Sequence, residues 1–88
     1  MQIDFTKYFS KQLDSLRDNV LRERLRKIVS AVMAASTISE IPNLKKLKGH
    51  PNAYRIRLGD YRIGLFIEDN SVLFAAFEHR RDMYNRFP

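Results

Sequence analysis

Eighty-eight residues make a single domain, residues 1–88, with room for one modest core and none for a core plus an elaborate cofactor pocket. The chain has no cysteine and two histidines, His50 and His79, which excludes a disulfide framework and a thiolate metal centre, so neither cofactor nor metal is expected. A formal net charge of +6 points instead to a polyanionic partner, and the placement of the charge decides how seriously to take it.

The N-terminal MQIDFTK has no apolar signal core, and the apolar stretch Leu73–Phe77 is far short of the roughly 20 residues that span a bilayer, so a cytoplasmic protein without a membrane partner is expected. Residues 2 to 6 alternate around Ile3 and Phe5, predicting a short first strand, and Thr6 is placed to cap a following helix. From Tyr8 to Met33 apolar residues recur at helical spacing: Phe9, Leu13, Leu16 and Val20, then Leu21, Leu25, Ile28, Val29 and Val32. Asp18-Asn19 offers a break and a new N-cap, which predicts a helical hairpin. Its Arg17, Arg22, Arg24, Arg26 and Lys27 are interleaved with Asp18 and Glu23, the pattern of a solvated helix face with Asp18/Arg22 and Glu23/Lys27 pairs.

Residues 34 to 52 carry small and polar residues with Pro42, Gly49 and Pro51 and read as a connection bearing Lys45, Lys46 and Lys48. His50 falls in its Gly-Pro region and reads as incidental. Three strand-like runs follow, Ala53 to Leu58, Tyr61 to Glu68 and Val72 to Glu78, separated by Gly59-Asp60 and by Asp69-Asn70-Ser71. Two tight hairpins would make an antiparallel meander, and the tail HRRDMYNRFP is polar, basic and aromatic. The fold class is therefore α+β: an N-terminal strand and a helical hairpin packed on one face of an antiparallel sheet, with a short C-terminal tail.

A two-residue Gly59-Asp60 turn sets Leu58 against Tyr61, Ile56 against Ile63 and Tyr54 against Leu65 on the face toward the helices. The other face receives Arg55, Arg57 and Arg62, with Arg57 directly across from Arg62. Opposed like charges weaken a strand pair by something like ~0.2–1 kcal/mol, so a bound anion explains the arrangement where stability does not. Continuing through an Asp69-Asn70 turn places Gly64 opposite Ala75, Phe66 opposite Leu73 and Arg62 opposite Phe77, with no acid facing the arginines. The alternation then carries His79 to the arginine side, where its imidazole could transfer protons near neutral pH as no arginine can. Arg80, Arg81 and Tyr84 come just after, and Arg86 prolongs the basic tail. The competing reading of these arginines is the plain solvent side of a half-exposed sheet.

The segments LKKLKG (44–49), AYRIRLGDYRIGLF (53–66) and HRRDMY (79–84), in that order, resemble the RelE/ParE toxin superfamily over the whole chain. The resemblance implies a helical hairpin on an antiparallel sheet, cleavage of mRNA in the ribosomal A site for the RelE branch, and a cognate antitoxin as partner beside ribosome and mRNA. It carries catalytic roles to Arg55 and Arg57 on the strand before the turn, to Arg62, to Arg80 and to Tyr84 in the tail. Many members have lysines where this chain has Arg55 and Arg57, and the proton-transfer role then falls to His79. Lys45, Lys46, Lys48, Arg81 and Arg86 are expected to bind RNA or ribosome. The expected function is thus a ribosome-dependent endoribonuclease toxin working by metal-free 2′-OH attack. The alternatives are a ParE-type inhibitor of DNA gyrase and a nucleic-acid-binding module without activity.

Overall fold

The computed structural model describes residues 1–88. Strand β1 (Gln2–Phe5) leads into helices α1 (Lys7–Ser15) and α2 (Asn19–Ala34). A 3-10 turn (Ile38–Glu40) then precedes strands β2 (Leu44–Lys46), β3 (Ala53–Leu58), β4 (Tyr61–Glu68) and β5 (Ser71–His79) and helix α3 (Arg80–Arg86).

Both predicted caps form, and together they make the hairpin. The Thr6 hydroxyl accepts from the Phe9 amide at 3.1 Å, and Asp18 accepts from the amides of Val20 and Leu21, each at 3.0 Å. Arg22 does not pair with Asp18. Its guanidinium donates instead to two carbonyls at the end of α1, that of Leu13 (2.8 Å), which also accepts from the Leu16 amide, and that of Leu16 (3.2 Å). Glu23 pairs with Arg26 at 2.6 Å rather than with Lys27.

The five strands order as β1-β5-β4-β3-β2. Strands β2 to β5 are antiparallel, and β1 runs parallel to β5 with Ile3 beside Val72 and Phe5 beside Phe74, so the sheet is mixed. The main core lies between α1–α2 and the sheet, where Phe9, Leu21, Leu25 and Val32 meet Ile56, Ile63, Leu65 and Phe74. Phe5, Phe9 and Phe74 close one end of it with ring centroids 5.4 to 5.6 Å apart.

Two elements depart from the sequence reading. The 34–52 connection contains β2, whose three residues are too few to display an alternation. The tail is a helix, not an irregular end: His79 caps it, and Met83 and Phe87, four residues apart, both face the sheet. They form a second, smaller core with Ala53 and Ala76 on the face opposite α1–α2. Phe87 sits so close over Gly64 that a Cβ there would lie 2.5 Å from its Cγ. Ala53, Gly64 and Ala76 thus form a floor of small residues that seats α3.

Candidate functional site

The register of β3 on β4 is the predicted one, with Arg57 directly across from Arg62 and Arg55 across from Gly64. Strand β2 adds Lys45 beside Arg55. Alternation puts these four cations on the face away from the main core, where Lys45, Arg55, Arg57 and Arg62 line a cleft of about 350 Å³ with Asn43. Arg62 is held toward the turn, its Nη1 donating to the carbonyls of Gly59 at 2.8 Å and Tyr61 at 2.9 Å. A second cleft of about 390 Å³ shares Lys45 and Arg55 and adds Lys46, Lys48, His50 and Tyr84. Tyr84, 82% exposed, is delivered there by α3, with the Arg55 guanidinium carbon 5.7 Å from its ring centroid.

A β-bulge between Gly64 and Leu65 corrects the expected register of β5. Phe66 does face Leu73, but the extra residue sets Gly64 against Ala76 and Arg62 against Glu78, where Ala75 and Phe77 were expected. One inserted residue reverses the side on which everything beyond it stands. His79 is the first casualty: it is paired with Tyr61, its ring 5.5 Å from Tyr61 and on the face opposite the arginines. Its Nδ1 accepts from the Arg81 amide at 3.2 Å, so it works as the cap of α3. The expectation of an acid-free arginine face also needs correction, because Glu78 stands in register with Arg62. Its buried carboxylate accepts from the Tyr8 hydroxyl and from Gln12 Nε2 (3.0 Å), and it makes no ion pair with the arginine.

The comparisons with known proteins agree with this architecture. A family model described as the ParE toxin of the type II toxin-antitoxin system parDE matches residues 3–84. The toxin RelE3 of Methanocaldococcus jannaschii is 33% identical over 89 residues, spanning 100% of both chains. The chain belongs to the RelE/ParE toxin superfamily. Among solved structures, the RelB-RelE antitoxin-toxin complex from Methanococcus jannaschii superposes with a TM-score of 0.79 at 32% identity, covering 96% of this chain and 98% of that one. The intact Escherichia coli RelBE toxin-antitoxin complex gives 0.70 at 27% identity, covering 89% and 94%.

Within this RelE-like toxin, the fold gathers Lys45, Lys46, Lys48, Arg55, Arg57, Arg62 and Tyr84 along one connected pair of clefts. Arg80 stands at the N-terminus of α3, with its amide donating to the Asp60 carbonyl at 2.8 Å and tying that helix to the β3–β4 turn. Arg81 is exposed on the same first turn. Arg86 points elsewhere: its Nη1 lies 3.5 Å from the Tyr8 hydroxyl, and that contact, reinforced by the nearby charge of Glu78, raises its pKa above the usual arginine value. The two histidines exchange places relative to expectation. His50, read as incidental, lines the cleft with Arg55 and Tyr84, whereas His79 leaves it. The proximity of His50 arises from the fold of the 47–52 loop against α3, which no local motif announces.

Proposed function

We propose that this toxin is an endoribonuclease that cleaves translated mRNA in the ribosomal A site and is neutralised by a cognate antitoxin. The observation that carries the reading is the opposition of Arg57 and Arg62 on the open face, flanked by Arg55 and Lys45. Guanidinium forks match phosphate oxygens bidentately, and a phosphate between the two would turn a repulsion into a clamp. The exposed Tyr84 ring beside Arg55 offers a platform for a base adjoining that phosphate.

In this reading a ribose 2′-OH attacks the adjacent phosphorus, the 5′ oxygen leaves, and a 2′,3′-cyclic phosphate remains. Arg55, Arg57 and Arg62 stabilise the charge that develops on the non-bridging oxygens, and the route requires no metal. Arginine stays protonated, so proton transfer belongs to another group, and an imidazole is the side chain suited to it near neutral pH. His50 takes that role, because it lies on the correct side of the sheet and His79 does not. DNA, lacking the 2′-OH, is bound and not cut. The ribosome supplies the positioning that so small a chain cannot. The two relatives solved as antitoxin–toxin complexes support an antitoxin partner, which would cover the arginine face with acidic or apolar groups.

The match to the ParE family model favours a second reading, inhibition of DNA gyrase by binding alone. Primer extension on a defined mRNA translated in vitro separates the two, comparing the wild type with Arg57→Ala/Arg62→Ala. Cuts confined to translated codons and lost in the variant are expected. Intact mRNA at inhibitory toxin concentrations, with gyrase supercoiling blocked, would replace the nuclease reading with the second one.

A further inference from the structure

The bulge that removes His79 from the arginine face delivers Glu78 to it. Directly opposed residues on antiparallel strands have Cβ atoms about 4.5–5.5 Å apart, well within reach of an Arg–Glu ion pair. Such a pair would put a fixed carboxylate in the phosphate's place on Arg62. Yet no Arg62–Glu78 bridge forms; the ion pair in the molecule is Arg26–Glu23.

What prevents it is a side-chain network at the free edge of β5. Strand β1 covers β5 as far as Phe74, and beyond it Gln12 of α1 takes the place of a neighbouring strand. Its Oε1 accepts from the Phe77 amide at 2.7 Å, and its Nε2 donates to the Phe77 carbonyl at 2.5 Å and to Glu78 Oε2 at 3.0 Å. Tyr8, one helical turn earlier, donates its hydroxyl to the same carboxylate oxygen and accepts from Arg86. Arg86 adds an attractive charge on that side, itself near Asp82. The carboxylate is thereby drawn to the sheet edge and buried, while Arg62 is turned the other way, onto the carbonyls of Gly59 and Tyr61.

We infer that Tyr8 and Gln12 are positioning residues that sequester Glu78 and so keep Arg62 free for a phosphate. This rests on the reading of the arginine face as a phosphate site. Neither residue lines the arginine cleft, and both act through the acid.

The test uses the full chain and a fluorescein-labelled single-stranded RNA 12-mer with every ribose 2′-O-methylated, so that binding is read by anisotropy without cleavage. Tyr8→Phe/Gln12→Ala should bind about tenfold more weakly, with a shallower salt dependence, as for the loss of one phosphate contact. Adding Glu78→Gln to that variant should restore wild-type affinity, because the competing charge is gone. Tyr8→Phe alone removes a single hydroxyl, leaves Gln12 in place and should cost roughly two- to threefold by the same reasoning. Unchanged affinity in both Tyr8 variants, or a loss that Glu78→Gln does not rescue, would overturn the sequestration. Arg62→Ala distinguishes the underlying premise: if it binds like the wild type, the phosphate-site reading fails and the inference with it. If it weakens binding while the Tyr8 variants do not, only the positioning role fails.

Discussion

Replacing Gly64 by alanine puts a methyl group where Phe87 already sits: the new Cβ would lie 2.5 Å from Cγ, 2.6 Å from Cδ2 and 2.8 Å from Cδ1 of the ring. Ordinary carbon contact begins near 3.5 Å, so the ring must rise by about 1 Å. Phe87 is buried at the end of a helix whose other anchor is Met83, so the whole of α3 must tilt or release. Overpacking of this kind costs about 1–3 kcal/mol, which for a domain of this size lowers Tm by roughly 4–8 °C per kcal/mol. Glycine within a strand is itself unfavourable by roughly 0.5–1 kcal/mol against alanine, so the sign of the substitution depends on the ring above it. Gly64→Ala should therefore destabilise the wild type and be neutral or stabilising in a Phe87→Ala background. Urea denaturation of the four proteins of that cycle, with hydrogen exchange of residues 83–87 to follow α3 locally, measures both effects. An equal loss from Gly64→Ala in the two backgrounds would refute the account of α3 seated on a glycine floor.

Asp18→Ala removes the acceptor of two amides and should cost about 1 kcal/mol in urea denaturation, whereas Asp18→Asn should remain near the wild type. His50→Gln should slow cleavage of translated mRNA in the primer-extension assay. His79→Gln should leave cleavage intact and lower only stability, by about 1 kcal/mol for a lost cap; the reverse pattern would return the role to His79. The hydrogen bond from Arg26 holds the exposed Glu23 carboxyl below its ordinary pKa. Its contribution is present above the usual glutamate value of about 4.3 and is lost as pH falls through the lowered one. Glu23→Gln should thus lower Tm slightly at pH 7 and low salt and leave it unchanged at pH 2; an equal effect at both would exclude the ion pair as its cause.

The parts of the fold legible in the sequence are those encoded locally. Thr6 and Asp18 announce their helices because a side chain caps amides two or three residues away. Gly59-Asp60 fixes the β3–β4 register because a two-residue turn leaves no freedom, and with it the placement of Arg55, Arg57 and Arg62. The parallel pairing of β1 with β5 is a contact across about seventy positions of sequence and leaves no local trace. The α3 stripe consists of Met83 and Phe87 alone within a basic segment, too sparse to outweigh its composition. One signal did exist: an isolated glycine inside a strand pattern marks a bulge or a close backbone approach, and Gly64 is the close approach, under Phe87, while the extra residue of the neighbouring bulge is Ala75 of β5.

That single inserted residue organises the second face of the sheet. Without it, His79 would stand with the arginines and Phe77 would project into them; with it, Phe77 returns to the main core and Ala76 joins Gly64 beneath α3. The same shift brings an acid into register with Arg62, a charge that would occupy an anion site if left free. Tyr8 and Gln12 come from the helix nearest the exposed end of β5, where unpaired strand groups had in any case to find partners. One pair of side chains thus closes the sheet edge and removes the competing carboxylate, and the basic face stays open on the side where α3 presents Tyr84.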